Sequence, residues 1–306
     1  GLYQYNGKDF ISHKIDPYAK NSISDDHILD IDEDNAGNLF IGTKFGGLNF
    51  YNPGKKIFRF FTDNTFSELE ILSVLYTNEA TYFGTDTGLF ALQDNGDTLM
   101  ATGILLKENI VDLATTGSHT LIAATAENGV YVLNLGAGSS DIKNQEHYLK
   151  NFEVNFIYPL KLNSFLISTS AGFYLFNEEN MRVDPIDQSI FSEKIYTISK
   201  NAIVRDRAGN IWLGSGYKLY KISLQDSFES VEIETYEINI DQRFSRGISN
   251  LFYDNSGVLW ISFKGKGLYK YYPERKFSHY SLHQGLMSDV IFSMIEHNSN
   301  SVILGT

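Results

Sequence analysis

The feature that most constrains this chain is a phrase it repeats. From Ile28 the sequence reads "ILDIDEDNAGNLFIGTKFGGLNFYNPGKKIFRFF", and from Ile248 it reads "ISNLFYDNSGVLWISFKGKGLYKYYPERKFSHY". Each copy is apolar alternation, a D-x-x-G turn, a short apolar run ending in G-T or a relative, then G-L-x-x-Y, a polar turn and an aromatic run. Weaker copies keep the central joint: "YFGTDTGLFAL", "LIAATAENGVYVL", "FLISTSAGFYLF" and "IWLGSGYKLYKI". The position of the threonine recurs at Thr43, Thr85, Thr125, Thr169, Ser215, Phe263 and Thr306, at intervals of 42, 40, 44, 46, 48 and 43 residues. A fixed period of this size decides the architecture before any motif does.

Each part of the unit has a physical job. Period-two runs rich in Ile, Leu, Phe and Tyr are strands with a buried face, and the turns Asp34-x-x-Gly37, Asp206-x-x-Gly209 and Asp254-x-x-Gly257 join two of them. The Asp carboxylate accepts from backbone amides further along, and Gly supplies the positive φ. These aspartates are therefore expected to be structural. Small residues at the Gly-Thr joint suit close packing of strands. Four short strands per unit, with little helical periodicity, predict an all-β, seven-bladed β-propeller of four-stranded blades.

The last unit, "VIFSMIEHNSNSVILGT" from Val290, holds only two strands, and the chain opens on "GLYQYNGKDFISHK", the phrase that should follow them. Residues 1–14 are thus expected to pair with 288–306 and complete the seventh blade, closing a single propeller domain over 1–306. Closure removes the exposed strand edges of an open array.

Composition narrows the function. The formal charge is −12, with no local basic run to offset it, which argues against nucleic acid and against direct binding to an anionic membrane surface. The chain has no cysteine, so disulfides and thiolate metal sites are out. No stretch is apolar enough for a membrane span, and the first residues lack a secretory signal, as those of a processed chain would.

The phrases "DNAGNLFIGTKFGGLNFY", "DRAGNIWLGSGYKLYKI" and "DNSGVLWISFKGKGLYKY" resemble the regulator-propeller repeats in the periplasmic sensor region of Bacteroidetes hybrid two-component histidine kinases. The resemblance covers nearly the whole chain. It is strongest in blades one, five and six; blades two to four lack the D-x-x-G turn, and blade three has Ala124 where Gly is usual. It implies a non-catalytic, periplasmic sensor propeller, a fragment of a larger inner-membrane protein. The implied cue is an oligosaccharide, and the implied neighbours are a second propeller and a β-sandwich domain, with a homodimer as a further possibility. No cofactor and no metal are implied.

Catalytic motifs are thin. H-E-x-x-H, G-x-S-x-G and the P-loop are absent. "DIDEDNAGN" from Asp30 fails as a calcium loop, with Asn35 where Gly belongs and Ile41 where Glu belongs. His279 and His283 are close in sequence but read as packing or surface residues. His27 with Asp25 and Asp26 is the one cluster to inspect for an enzyme.

Propeller geometry gives a sharper expectation. Loops joining second to third strands, and one blade to the next, share the face that usually binds. Basic and aromatic residues gather there in blades five, six and one: Lys44, Phe45, Tyr217, Lys218, Arg243, Phe244, Arg246, Lys264 and Lys266. Asp86 and Glu127 make blades two and three acidic. The basic sector is expected to receive an anionic sugar or an acidic partner surface, its cations pairing with carboxylate or sulfate and its rings stacking. The competing reading is a solvated loop surface. Three function classes follow: a sensor or recognition module, a protein-interaction platform, and a propeller lyase or lactonase.

Overall fold

A computed structural model describes residues 1–306 except 20, 61–68, 95–98, 102, 116, 118, 137–140, 161–162, 188–197, 225–230, 239–246, 273–274 and 299–300. It is an all-β seven-bladed propeller of four-stranded antiparallel blades. The chain opens with β1 (Leu2–Tyr5) and β2 (Phe10–His13). Blade one follows as β3 (Ile28–Glu33), β4 (Leu39–Thr43), β5 (Leu48–Asn52) and β6 (Ile57–Phe60), and blade two as β7 (Ile71–Tyr76), β8 (Thr81–Thr85), β9 (Leu89–Asp94) and β10 (Leu99–Ala101). Blade three is β11 (Ile110–Ala114), β12 (Thr120–Thr125), β13 (Val130–Leu135) and β14 (Ile142–Tyr148). Blade four is β15 (Val154–Pro159), β16 (Ser164–Thr169), β17 (Gly172–Asn177) and β18 (Arg182–Pro185). Blade five is β19 (Ile203–Arg205), β20 (Ile211–Ser215), β21 (Lys218–Leu224) and β22 (Val231–Glu237). Blade six is β23 (Ile248–Tyr253), β24 (Leu259–Phe263), β25 (Gly267–Tyr272) and β26 (Arg275–Tyr280). The chain ends with β27 (Ser293–Asn298) and β28 (Ser301–Gly305), and the seventh sheet runs β2-β1-β28-β27. The N-terminal strands complete the C-terminal blade, as the broken repeat predicts. Among the described residues the one helical element is a single 3-10 turn, Leu282–Gln284.

The contacts divide the chain into two units: Gly1 with His13–Ile186, holding blades one to four, and Leu2–Ser12 with Asp187–Thr306, holding blades five to seven. In both, the second strand of a blade is the most buried. β4, β8, β16, β24 and β28 are buried at every residue, while the outermost strands β2, β14 and β18 are largely open to solvent. This is why the second-strand phrases read as unbroken apolar runs, while the fourth strands of blades three and four, β14 and β18, read as polar.

The three D-x-x-G turns are built alike. Asp34 Oδ1 accepts the backbone N–H of Ala36 and Asn38, at 2.9 and 2.8 Å, and Asp254 Oδ1 accepts those of Ser256 and Val258, at 2.8 and 3.0 Å. The glycine of each turn holds the positive φ, at +79° for Gly37, +90° for Gly209 and +84° for Gly257. In blades five and six the other oxygen accepts an indole N–H: Trp212 Nε1 donates to Asp206 Oδ2 at 3.0 Å and Trp260 Nε1 to Asp254 Oδ2 at 2.6 Å. Blade one carries Phe40 there, and Asp34 Oδ2 takes the Asn38 amide, as Asp206 Oδ2 also takes that of Asn210.

At the Gly-Thr joint the two residues do different work, which corrects the expectation that both are there for small size. The glycine packs. A Cβ on Gly42, Gly84 or Gly214 would come within 2.8, 2.6 or 2.5 Å of Cγ2 of Ile71, Ile110 or Ile248, the first residue of the next blade. The threonine clasps the following loop: the hydroxyls of Thr43, Thr85, Thr125 and Thr169 donate to the carbonyls of Gly47, Gly88, Gly129 and Gly172 at 2.7 to 2.9 Å. Each also accepts a loop N–H, from Gly46, Gly88, Asn128 and Ala171.

The "DIDED" run serves the neighbouring blade. Asp30 Oδ2 accepts Val74 N–H at 2.9 Å and Asp32 Oδ2 accepts Tyr76 N–H at 2.6 Å, as Asp112 Oδ2 accepts Ile157 N–H at 2.9 Å. Burial, with Asp30 close by, raises the Asp32 carboxyl from 3.8 to about 6 despite the backbone donors that oppose it. A raised carboxyl adds stability below its unfolded value that is lost as pH climbs through the folded one. Asp32→Asn should therefore melt higher than the parent at pH 7.5, and the gap should close as pH falls from about 6 to 4. His13 and His297, held below the usual range by burial, destabilise both proteins alike on acidification, so the difference between the two melting curves isolates Asp32. An unchanged gap across that window would refute the assignment.

Candidate functional site

The two units present the sequence-predicted residues separately. In blades one to four, Lys44 and Phe45 sit in the turn between β4 and β5. Phe45 is 64% exposed, and its backbone N–H donates to Asp25 Oδ2 at 2.9 Å. The His27 ring meets Phe45 edge-on at 5.6 Å, and His27 Nδ1 lies 3.4 Å from Asp25 Oδ1. Ser24 pins the same turn, donating to Gly46 O at 2.7 Å while accepting the Asn49 amide at 2.7 Å. Lys44 Nζ pairs with Glu70 at 3.8 Å. Asp26 is engaged elsewhere: its Oδ1 accepts Ile15 N–H and its carbonyl accepts the Gly1 ammonium. The His27 cluster is thus an Asp25–His27–Phe45 arrangement that fixes a turn, with Asp26 outside it.

In blades five to seven, Tyr217 occupies the two-residue turn between β20 and β21 and stacks on Phe263 at 6.5 Å with the rings 13° apart. Lys218 is the first residue of β21 rather than a loop residue; it opposes Glu237 in the sheet and pairs with it at 3.6 Å. Phe263, standing where the other blades have threonine or serine, is fully buried and also meets Tyr269 edge-on at 5.1 Å.

The Lys264–Lys266 turn is held by the backbone. Lys264 N–H donates to Gly247 O at 3.1 Å, Gly265 and Gly267 N–H both donate to Asp289 O at 3.0 Å, and Lys266 N–H donates to Phe263 O at 3.0 Å. Lys264 is exposed and makes no ion pair among the described residues. Arg243, Phe244 and Arg246 lie outside the described residues.

Sequence reading missed a device that recurs across the third and fourth strands. His279 stacks on Tyr269 at 4.1 Å with Nε2 2.5 Å from Lys266 O, and His147 stacks on Tyr131 at 4.0 Å with Nε2 2.5 Å from Asn128 O. Both histidines brace the loop that the neighbouring strands carry. His279 is accordingly a loop brace, which supports the packing reading over a metal pair with His283. The signal lay in the sequence as a Tyr and a His placed opposite each other in register. Burial, with a hydrogen bond from its hydroxyl to Glu108 at 3.0 Å, pushes Tyr131 up to about 12. Among the described residues no group of three His, Asp or Glu side chains is placed to hold a metal ion.

No family model matches the chain, and no curated protein matches it. Solved structures do. The extracellular domain of BT4673 from B. thetaiotaomicron, described as a hybrid two-component system, superposes with a TM-score of 0.72 at 18% identity, over 98% of this chain and 39% of that one. The likeness is one of fold. The extracellular domain of BT3049 from the same organism gives 0.63 at 14% identity, over 91% of this chain and 40% of that one. Virginiamycin B lyase from Staphylococcus aureus gives 0.69 at 9% identity, over 99% and 98% of the two chains. The chain spans about two fifths of the length of the two-component proteins' extracellular domains.

Proposed function

We propose that this chain is a ligand-recognition propeller of an extracytoplasmic sensor, in the periplasmic region of a hybrid two-component histidine kinase. The observation that carries the reading is that the fold of two Bacteroides sensor ectodomains extends over 91 to 98% of this chain, whose repeats resemble those of the same class of protein. On this reading residues 1–306 form one closed domain that acts beside a second propeller and a β-sandwich domain, with homodimerisation carrying the signal. The domain itself is non-catalytic, and its cue is an oligosaccharide. No described helix is long and apolar enough to cross a membrane.

The recognition surface in this proposal is formed in blades five and six by Tyr217, Lys218, Lys264 and Lys266. Lys264 is its best-supported member, because it combines exposure, a turn fixed by four backbone hydrogen bonds, and no competing carboxylate among the described residues. Lys218 already pairs with Glu237, so a ligand must displace an exposed ion pair worth at most about 1 kcal/mol. The exposed Phe45 ring supports a second reading, a protein-interaction platform.

Thermal melting against a panel of neutral and acidic oligosaccharides tests the proposal. A ligand at about 100 times its dissociation constant stabilises the native state by about 2.7 kcal/mol. A shift with one sugar class, at least halved by Lys264→Glu, is the expected result. No shift with any sugar overturns the oligosaccharide reading in favour of the platform; turnover of a lactone or glycoside overturns the non-catalytic one.

A further inference from the structure

The unit holding blades five to seven contains a polar cavity of about 400 Å³ that the reading above leaves unused. It lies where the Asp254 turn of blade six meets the Asn6–Gly7 turn of blade seven, at the opposite end of β24 from Lys264. Its walls include Tyr5, Asp254, Trp260, Lys270, Glu296 and Ser301.

Three side chains there are unspent. Ser301 is 5% exposed, yet its hydroxyl has no hydrogen-bond partner among the described residues, which is costly for a buried polar group unless something enters the cavity to meet it. Lys270 Nζ stands 4.3 Å from the centroid of the Trp260 ring and 5.6 Å from that of Tyr5, and it pairs with no carboxylate among the described residues. Glu296 uses one oxygen, Oε1, to accept Asn255 N–H at 3.0 Å, and its other oxygen has no described partner. Asp254 is different: both of its oxygens are committed, to Ser256, Val258 and Trp260. Among the described residues the cavity therefore offers one ammonium without a carboxylate partner, one half-free carboxylate and one free hydroxyl, with no ion pair joining the two charges.

We propose that this cavity binds a small zwitterion of the α-amino-acid class, its carboxylate received by Lys270 and the Ser301 hydroxyl and its ammonium by Glu296. A simple anion would leave Glu296 unpaired beside it, and a neutral polyol would leave both charges unpaired, each at a desolvation cost. The volume sits near the lower end of the range for small-molecule sites, which suits a single amino acid. The Trp260 and Tyr5 rings hold Lys270 over the cavity by cation–π attraction and so fix where the carboxylate is met.

The inference does not depend on the sensor reading: failure of every oligosaccharide leaves it standing, and its own failure leaves that reading untouched. Titration of the intact chain with the proteinogenic L-α-amino acids, followed by tryptophan fluorescence and checked by calorimetry, is the test. Saturable binding of at least one amino acid is expected, weakened about tenfold or more by Lys270→Met and by Glu296→Gln. The N-acetyl and the amide derivatives of that amino acid, each lacking one charge, should bind about tenfold more weakly. Ser301→Ala removes only an unpartnered hydroxyl, so it should melt at the parent's temperature and still bind more weakly; Lys264→Glu should bind as the parent does. Absence of saturable binding by any amino acid overturns the proposal. So does equal binding by a folded Lys270→Met or Ser301→Ala variant, or equally tight binding of acetate or glucose.

Discussion

A chain that starts at residue 15 should fail to fold cooperatively, whereas a circular permutant running 15–306 and then 1–14 should fold at least as well as the parent. The truncation strips β1 and β2 from the seventh sheet. It removes the buried Leu2, Tyr3 and Tyr5, at 0, 2 and 4% exposure, and leaves β28, buried at every residue, with an open edge. At about 1.5–3 kcal/mol per large apolar side chain and about 0.5–1.5 per ladder bond, the loss is on the order of 10 kcal/mol, comparable with the whole stability of a typical domain. Tyr5 also meets Trp260 edge-on at 5.7 Å, so the damage reaches blade six.

The permutant needs only a turn between Thr306 and Gly1. Leu2 faces Gly305 as Leu89 faces Gly84 in blade two, where Asp86 and Thr87 stand between Thr85 and Gly88. Copying Asp-Thr between Thr306 and Gly1 thus recreates an existing joint, and the shorter loop closure should favour folding. Urea titration followed by circular dichroism reads both variants. A truncation that melts like the parent would show that the seam contributes little to the fold.

Gly214→Ala should destabilise by about 2 kcal/mol, near the middle of the range for overpacking a tight interface. The new Cβ would stand 2.5 Å from Ile248 Cγ2, 3.0 Å from its Cβ and 3.2 Å from its Cδ1. Every one of those atoms belongs to a side chain, so the clash can be relieved by changing Ile248 alone. The protein carries such a relief in blade three, where Ala124 replaces the glycine and blade four starts on Val154, with both side chains in one buried cluster. Gly214→Ala combined with Ile248→Val, whose lack of Cδ1 leaves room for the side chain to turn its Cγ2 aside, should recover about 1 kcal/mol, a coupling typical of residues in contact. Additive effects in the double variant would mean that the two residues do not share a packing constraint.

The Gly-Thr joint shows what a repeat can and cannot display. Its period was legible because each blade reuses the same local chemistry: a carboxylate-capped turn, an unbroken apolar second strand, and Gly then Thr at its end. Alternation and turn residues act within a few positions of one another, so they appear directly in the order of residues. The division of labour at the joint did not appear, because the glycine's partner lies about 30 residues downstream, in the next blade.

The same limit hid the candidate site. Lys218 reads as a loop lysine until the register sets it against Glu237 on β21, and Lys44 reads as a free cation until Glu70 is found beside it. Lys270, Glu296 and Ser301 stand at positions the repeat leaves unspecified, and Tyr5 comes from the other end of the chain. The sequence alone determined the seven-fold count, the strand order within each blade and the seam between the termini, since these follow from local pattern repeated at a fixed interval. Only the tertiary structure decided which charges are paired, why Asp30 and Asp32 are there, and that a polar cavity opens beside Trp260. Those properties depend on which distant strands come to lie together and how closely, and local pattern does not encode either.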